Sequence, residues 1–310
     1  MNTFGAIILG GGAAGLSAAT ALGRFRRSVA VIDAGAPRNA VAEGVHNFLS
    51  RDGVPPLELQ RLGRVEAESY GVTFIDGDAR DIQPGFSVTV GNQQLSAQRL
   101  IVATGTFDEL PAIPGLAERW GRDVIHCPYC HGWEVRDRAI GILGTHARFA
   151  HVALMFRQLS DRVTVFLDPS VTATPDELAQ LSARGVTVVT GTISRLKIVD
   201  DALAAVTLAD GSTHPVEALA AASFTRARVD ALAQLGLHAV DHPSGAGTHL
   251  AVDAFGLTSL PGVWAAGNVS DPMAQVVTSA AQGLMAAAAL NADLIAEEAR
   301  AAVALASVGG

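Results

Sequence analysis

The stretch that most constrains the fold is "AIILGGGAAGLSAATAL", residues 6–22, an apolar run interrupted by spaced glycines. It has the pattern of a buried strand, a Gly10-x-Gly12-x-x-Gly15 turn and a helix of small residues. In such a turn the first glycine permits the sharp bend, the second lets the backbone approach a pyrophosphate, and the third lets helix and strand pack closely. The pattern predicts a βαβ domain that binds a dinucleotide.

Two neighbouring features support this prediction. The start of the helix, at Ala13 and Ala14, offers backbone amides to the phosphates. The next strand, "SVAVID", ends at Asp33 and is followed by Ala34, at the position where a carboxylate can bind a ribose hydroxyl. A lone GxGxxG would be weak evidence, but strand, helix and acid are all present here.

Composition and charge narrow the class of protein. A chain of 310 residues with 49% hydrophobic and 17% charged residues has room for two well-packed domains. The net charge of −8 argues against a nucleic-acid surface, because phosphate binding needs clusters of Lys and Arg. No Lys or Arg precedes the first apolar run, so it is not expected to be a signal peptide. The stretch "AAAALNADLIAEEARAAVAL" predicts an amphipathic helix, not a membrane span, and we expect a cytoplasmic protein.

The only two cysteines, Cys127 and Cys130, lie in "HCPYCHGWE", which excludes a disulfide framework of the secreted type. The motif allows four interpretations: a c-type haem attachment, a glutaredoxin-like pair, half of a zinc site, or a pair that exchanges electrons with a flavin. Haem attachment requires export, and no export signal is expected here. A glutaredoxin pair lies near the start of a small domain, not behind a dinucleotide-binding fold. Neither interpretation is therefore favoured. Zinc requires four ligands, which His126 and His131 could complete only by distorting one short turn. No metal site is therefore expected.

Two later stretches suggest which dinucleotide binds. "LIVATGT" ends in Ala103-Thr104-Gly105, and "GVWAAG" ends at Gly267. Together with the first glycine motif they resemble the three FAD-contacting motifs of the thioredoxin-reductase-like flavoproteins, over nearly the whole chain. The resemblance implies an α/β protein of two Rossmann-like, three-layer ββα domains. It also implies FAD contacts at Thr104, Gly105, Gly267, Asn268, Ala274, Gln275 and Val276. Asn268 replaces the usual aspartate, and the helix beginning at Ala274-Gln275 should face the flavin pyrimidine.

The predicted FAD domain is discontinuous, with residues 1–114 and 245–310 enclosing a second domain of residues 115–244. "LPAIPGL" is the predicted outward crossover and "DHPSGAG" the predicted return linker. The strand "AIGILG", a helix over residues 147–160 and the strand "RVTVFLD" repeat the βαβ order where the family binds NADPH. Here, however, His146 and Phe149 occupy glycine positions of the motif, and a side chain there would collide with a pyrophosphate. We expect no productive nicotinamide binding, although Asp168 could still bind the ribose of NADH.

By the same resemblance, Cys127 and Cys130 form a redox-active disulfide beside the flavin. Cys130 would be the thiol nearer the flavin, and Cys127 the thiol that exchanges with substrate. His131 stands where thioredoxin reductases carry an acidic residue, and a histidine there can accept thiol protons near neutral pH. Asp271 could orient a histidine. The role of His126 stays open.

Intact FAD motifs, the "CPYCHGWE" segment and broken nicotinamide motifs together resemble one branch of the family. Its members oxidise small-molecule dithiols such as the precursors of gliotoxin, holomycin and romidepsin, passing electrons through the Cys pair and FAD to O2 with release of H2O2. The resemblance implies a homodimer and assigns the segment "VHNFLSRDGVPPLEL" to the substrate pocket. Two alternatives stay open: a thioredoxin-reductase-like enzyme using NAD(P)H or another donor, and a flavoprotein that sequesters or senses a dithiol without turnover.

Overall fold

A computed structural model describes residues 2–308, which divide into two compact units. Unit 1 consists of the chain up to Ala40, Phe48–Asp108 and the chain from Thr225 onward. Unit 2 consists of Val41–Asn47 and Glu109–Phe224. The two-domain α/β architecture expected from the sequence is confirmed.

Both units contain strands and helices. The strands are β1 Asn2–Leu9, β2 Val29–Asp33, β3 Thr73–Asp76, β4 Ala79–Gln83, β5 Ser87–Val90, β6 Gln93–Val102, β7 Thr106–Glu109, β8 Val124–Ile125, β9 Ile140–Gly144, β10 Val163–Leu167, β11 Thr187–Thr190, β12 Ile193–Val199, β13 Ala202–Leu208, β14 Thr213–Pro215, β15 Ala218–Ala220, β16 Phe224–Ala227, β17 Val240–Asp241, β18 Thr248–His249 and β19 Val263–Ala265.

The α-helices are α1 Ala13–Arg24, α2 Pro56–Ser69, α3 Leu116–Arg119, α4 Pro128–His131, α5 Phe149–Phe156, α6 Pro175–Ala183 and α7 Val276–Val308. Short 3₁₀ turns occur at Arg38–Val41, Trp133–Val135, Asp230–Leu235 and Gly267–Val269. No helix within residues 2–308 has both the length and the apolar character needed to cross a bilayer.

The main sheet of unit 1 has the order β3-β2-β1-β6-β5-β4, and β19 also pairs with β6. Strand β1 is parallel to both β2 and β6, while β4, β5 and β6 are antiparallel. Because side chains alternate along a strand, β1 supplies two cores. Ile7 and Leu9 pack into one core, whereas Ala6 and Ile8 pack into the other, against α1 and α7. This burial on both faces explains the continuous apolar run in the sequence.

The main sheet of unit 2 is parallel, with the order β11-β10-β9-β15-β8. Its central strand β9 likewise feeds two cores, with Ile142 on one face and Leu143 on the other. A three-stranded antiparallel sheet, β12-β13-β14, completes the unit. The predicted βαβ order is confirmed, but the helix between β9 and β10 covers only Phe149–Phe156, inside the predicted span of residues 147–160.

The return to unit 1 occurs at Thr225, before the predicted start at residue 245. The apolar side chains of this stretch explain the difference, since Val229, Leu232 and Leu237 are buried in the unit 1 core. Of residues 241–247, predicted as the return linker, Asp241 belongs to β17, and the others join it to the antiparallel strand β18.

Candidate active site

The three glycines of the first motif occupy sterically different positions at the end of β1. Gly10 has φ of +106°, and a Cβ there would overlap the carbonyl oxygen of Ala103. A Cβ on Gly15 would overlap the carbonyl oxygen of Gly10. Gly12 precedes α1 with an ordinary extended backbone, and within the described part of the chain a Cβ there would meet no atom closer than 4 Å. Gly10 and Gly15 are thus demanded by packing, whereas Gly12 borders open space.

Asp33, the predicted ribose ligand, ends β2 beside this turn. Its Oδ1 accepts a hydrogen bond from the Gly11 amide at 3.0 Å, and its Oδ2 accepts one from Nε2 of Gln60 at 2.7 Å. The Gln60 amide also donates to the carbonyl oxygen of Gly11 at 3.1 Å. The carboxylate is therefore fixed next to the glycine turn, and the exposed Ala34 follows it. Gln60 comes from α2, and no sequence motif predicts its role.

The second motif lies at the end of β6, directly beside the first. The Thr104 hydroxyl donates to the carbonyl oxygen of Arg228 at 2.6 Å. Gly105 has φ of +68°, and its carbonyl oxygen accepts from the Arg228 amide at 3.0 Å. Thr104 and Gly105 are thus held by backbone contacts with the chain that follows β16.

The third motif follows β19 and packs on the first. Gly267 has φ of +80°, and a Cβ there would lie 2.9 Å from the Cβ of Ala14. Its amide donates to Oε1 of Gln282 at 2.9 Å, so α7 fixes this turn. Asn268 donates through Nδ2 to the carbonyl oxygens of Asp271 and Ala274, at 3.1 Å and 2.9 Å.

The turn containing Asp271 leads directly into α7. The Asp271 carboxylate accepts from the Met273 amide at 3.0 Å and from Nε2 of Gln282 at 3.2 Å. These hydrogen bonds stabilise the turn, and the role of Asp271 toward a histidine stays a prediction. The Ser279 amide donates to the carbonyl oxygen of Gln275, and α7 begins at Val276, directly after the expected start at Ala274-Gln275. Ala274, Gln275 and Val276 therefore lie at its N-terminal end.

These groups fit a dinucleotide. Three motifs far apart in sequence meet at the carboxyl edge of the unit 1 sheet, where open-sheet α/β proteins bind nucleotides. The open space at Gly12 faces the start of α1, whose first amides have no partner within the helix. The glycine turn and the start of α1 thus form a site that suits a pyrophosphate, with the Asp33 carboxylate fixed beside it.

The two cysteines lie in unit 2, at the end of the edge strand β8. Cys127 precedes the single turn of α4, Pro128 begins that turn, and Cys130 lies within it. The amides of Cys130 and His131 both donate to the carbonyl oxygen of Cys127, at 3.2 Å and 3.1 Å. Both cysteines are partly exposed. The arrangement brings the two thiols to one surface turn, as Cys-x-x-Cys chemistry requires.

The packing of this turn depends on Gly132. A Cβ there would overlap the carbonyl oxygen of Pro128 and the side chain of Leu159. Large aromatic side chains flank the thiols, since Tyr129 is 68% exposed and Trp133 is 65% exposed. Such exposure favours a surface that receives a substrate.

His131, the predicted base, is partly buried beside the thiols. Its Nε2 is buried and finds no hydrogen-bond partner within residues 2–308. Burial lowers the pKa of His131 below its ordinary value of 6.5, Glu134 opposes that shift and His46 adds to it. The imidazole is therefore neutral at neutral pH and able to accept a proton. His126 lies with Nδ1 3.4 Å from the carbonyl oxygen of Ala221, at the end of β15.

The second nucleotide-binding position, at the end of β9, differs from the first. His146 occupies the turn, and its Nδ1 accepts a hydrogen bond from the Arg148 amide at 3.2 Å. The Asp168 carboxylate accepts from Ser170 and from the Thr192 hydroxyl, and these hydrogen bonds lower the pKa of Asp168. His146 and Asp168, the two side chains predicted to decide nicotinamide binding, thus accept hydrogen bonds from nearby residues of the protein.

A cavity of about 240 Å³ remains at this edge of the sheet. It is lined by Pro111, Ala112, Ile113, Leu143, Thr145, Phe166, Asp168, Gly191, Thr192 and Ile193. Among the residues that the structure describes, no group of three or more His, Cys, Asp or Glu side chains is arranged to hold a metal ion.

Comparison with known proteins identifies relatives along nearly the whole chain. The sequence profile of the family described as pyridine nucleotide-disulphide oxidoreductase matches residues 4–283. A protein named thioredoxin reductase sirT, from Leptosphaeria maculans, is 32% identical over 314 residues, which cover 94% of each chain.

Solved structures agree with the sequence relatives. The crystal structure of HlmI has a TM-score of 0.88 and 44% identity, covering 97% of this chain and 96% of its own. The crystal structure of an oxidoreductase from Agrobacterium tumefaciens has a TM-score of 0.88 and 36% identity, covering 95% of this chain and 99% of its own. The resemblance to thioredoxin-reductase-like flavoproteins is confirmed.

Proposed function

The chain belongs to the pyridine nucleotide-disulphide oxidoreductase family and is a FAD-binding disulfide oxidoreductase, and we propose that it acts as a dithiol oxidase. It would convert a small-molecule dithiol into an intramolecular disulfide and use O2 as the electron acceptor. The single observation that carries the proposal is the surface turn in which two partly exposed thiols adjoin a neutral, partly buried histidine.

The residues divide into a cofactor site and a thiol site. Gly10, Gly12 and Gly15 would hold the FAD pyrophosphate, with the first amides of α1 donating to it and Asp33 at the ribose. Thr104, Gly105, Gly267 and Asn268, with the start of α7 at Ala274, Gln275 and Val276, would border the rest of the cofactor. When bound, FAD supplies the acceptor for the electron pair of the Cys127–Cys130 dithiol, and transfer of that pair to O2 yields H2O2.

The chemistry of the chain's own residues is thiol–disulfide exchange. Starting from the Cys127–Cys130 disulfide, His131 takes the proton from one substrate thiol. The resulting thiolate attacks Cys127, the S–S bond breaks, and Cys130 leaves as a thiolate. The second substrate thiol, once deprotonated, attacks the mixed disulfide and releases Cys127. One disulfide is thereby exchanged for another, so two electrons move from substrate to enzyme.

The second nucleotide-binding position, at the end of β9, supports electron flow from a dithiol to the enzyme, as in an oxidase, over electron flow from NAD(P)H, as in a reductase. A side chain at His146 reduces the space that a pyrophosphate needs, and Asp168 already accepts hydrogen bonds from Ser170 and Thr192. A reductase that draws electrons from NAD(P)H would need both to rearrange. The homodimer and the assignment of residues 45–59 to the substrate pocket rest on family resemblance, and the cytoplasmic location rests on the sequence pattern.

The test is aerobic turnover of dithiothreitol, with peroxide as the measured product, in the wild type and in Cys127→Ser and Cys130→Ser. We expect peroxide formation in the wild type and its loss in both variants, with flavin content unchanged. Turnover that survives in either variant would show that the pair is not the electron carrier. A wild type that binds the dithiol without turnover would instead indicate sequestration.

A further inference from the structure

Val41–Asn47 is a short segment of unit 2 that is remote in sequence from the thiol turn but contacts it in two places. Nε2 of His46 lies 3.4 Å from Oε1 of Glu134. Nδ2 of Asn47 donates to the carbonyl oxygen of Tyr129 at 2.8 Å. The segment thus approaches both Tyr129, one of the two residues between the cysteines, and the 3₁₀ turn that follows them.

Glu134 and His131 each have one buried polar atom that needs an explanation. Oε2 of Glu134 and Nε2 of His131 are buried, and within residues 2–308 neither finds a hydrogen-bond partner. A buried polar atom without a partner is costly, so such atoms are rare and call for a reason. One atom here is a carboxylate acceptor, and the other becomes a donor whenever it carries a proton.

The charges of these groups act on one another. The carboxylate of Glu134 favours the protonated form of His131, whereas a charge on His46 opposes it. His46 and Glu134 also form a pair themselves. A single carboxylate therefore acts electrostatically on two imidazoles, pairing with His46 and favouring a charge on His131 beside the cysteines.

We propose that Glu134 is the positioning residue that balances the charge of His131 when this base accepts the substrate's thiol proton, and that His46 competes for the same carboxylate. This inference rests on the proposed dithiol chemistry. In the step concerned, an S–H bond of the substrate breaks, an N–H bond forms on His131, and the electron pair stays on sulfur as thiolate. In this step Glu134 acts only through the histidine.

The groups near His131 come from several elements of unit 2. His131 follows Cys130 in the same turn, and its amide donates to the carbonyl oxygen of Cys127. The charges that act on its ring are those of Glu134, from the following turn, and His46. His46 comes from the neighbouring segment, and α5 is followed by the apolar Leu159, which packs against this turn. The nearby cation Arg136 lies over the Trp133 ring, with 4.1 Å between its guanidinium carbon and the ring centroid.

Two substitutions should shift the pH dependence in opposite directions. Glu134→Gln removes the carboxylate, so His131 should protonate at lower pH and become a weaker base. His46→Gln removes the imidazole whose charge opposes that of His131, so His131 should protonate at higher pH. A merely structural role for either side chain would lower rates without this opposition. Glu118→Gln and His151→Gln, at exposed positions of the same unit, are the matched controls.

The experiment follows anaerobic flavin reduction by dithiothreitol in the holoenzyme, from about pH 5 to about pH 9, by stopped-flow absorbance. The acid limb is the fall in the rate of flavin reduction at low pH. We expect it to move to lower pH in Glu134→Gln, and the rate on the plateau above it to be about tenfold lower than in the wild type. We expect that limb to shift up in His46→Gln and to stay in place in both controls. NMR titration of the His131 ring in the same proteins gives a readout that needs no turnover.

The possible outcomes separate the two proposals. If wild-type flavin is not reduced by the dithiol at any pH, the proposed function fails, and the NMR titration still tests the role of Glu134. If the flavin is reduced but His131 titrates identically in wild type, Glu134→Gln and His46→Gln, the inference is overturned. If Glu134→Gln does not fold, the upward shift in His46→Gln decides the question alone.

Discussion

Two glycines of the first turn show how differently single residues constrain this site. A Cβ at Gly12 enters open space with an unstrained backbone, whereas a Cβ at Gly15 overlaps the carbonyl oxygen of Gly10. We predict that Gly12→Ala changes the free energy of unfolding of the flavin-free protein by less than about 1 kcal/mol. It should nevertheless weaken FAD binding about tenfold or more, because the methyl group occupies the pyrophosphate space.

The matched variant is Gly15→Ala, which should destabilise the flavin-free protein by about 1–3 kcal/mol, since the overlap must be relieved by moving β1 or α1. Chemical denaturation of both apoproteins and titration of both with FAD separate the two effects. Equal stability losses in the two variants would contradict the different steric roles assigned here to Gly12 and Gly15.

His131 carries a second prediction at the residue scale. A base must be unprotonated to act, and the lowered pKa of His131 means that activity falls only as the pH drops through a value below 6.5. His131→Gln should remove this acid limb and lower the rate of dithiol-driven flavin reduction about 10²–10⁴-fold. His151→Gln is the control. An acid limb that persists unchanged in His131→Gln would assign the base elsewhere, with His126 the next candidate.

The sequence predicts residues whose partners are local and misses those whose partners are distant. The glycine turn follows from a motif because its steric demands lie within a few residues. Gln60 reaches Asp33 across 27 residues, and Gln282 reaches Gly267 across 15 residues, from helices whose registers no motif encodes. The pair of His46 and Glu134 is hidden for the same reason, since only the folded chain brings that segment to the thiols.

At the scale of elements, the contact between α1 and α7 positions the first and third motifs. A Cβ at Gly283 would overlap the carbonyl oxygen of Ala14. Replacing a helical glycine by alanine ordinarily stabilises a helix by up to about 1 kcal/mol. For Gly283→Ala we predict a net loss of about 1–3 kcal/mol in the free energy of unfolding, because the overlap can be relieved only by moving α7 away from the first glycine motif.

Gly63→Ala in α2 is the matched control for Gly283→Ala. Its Cβ would meet the Leu16 side chain and no backbone atom among the nearest neighbours, and the tightest contact is with the terminal Cδ1 at 3.0 Å, so the stability should stay nearly unchanged or rise. Thermal unfolding of the two variants decides between packing and propensity. A stabilised Gly283→Ala would refute the close-contact interpretation.

The sequence predicts elements well where burial is continuous and less well where the chain crosses between units. Strands β1, β9 and β10 follow from apolar runs, and α7 follows from its amphipathic pattern. The return crossing was expected at "DHPSGAG" because glycine, proline and serine favour linkers. In the structure these residues join two short strands, and the decisive signal is the burial of Leu232 and its neighbours in the unit 1 core.

At the scale of the whole molecule, all residues assigned to FAD lie in unit 1 and both cysteines lie in unit 2. A ligand that binds only the folded state at hundredfold excess over its Kd stabilises that state by about 2.7 kcal/mol. We predict that FAD removal lowers hydrogen-exchange protection in unit 1, around β1, α1 and the start of α7. Unit 2 amides, for example in β9 and β10, should change little. A uniform loss across both units would contradict the assignment of the cofactor to unit 1 alone.

The direction of electron flow is the central claim, and anaerobic absorbance of the flavin tests it most directly. NADPH, NADH and dithiothreitol are added separately to the oxidised holoenzyme, and air is then admitted. The account predicts that the dithiol alone bleaches the flavin, and that air restores its colour with formation of H2O2. Rapid bleaching by either nicotinamide would show that His146 does not obstruct the second nucleotide position, and the protein would then be a reductase.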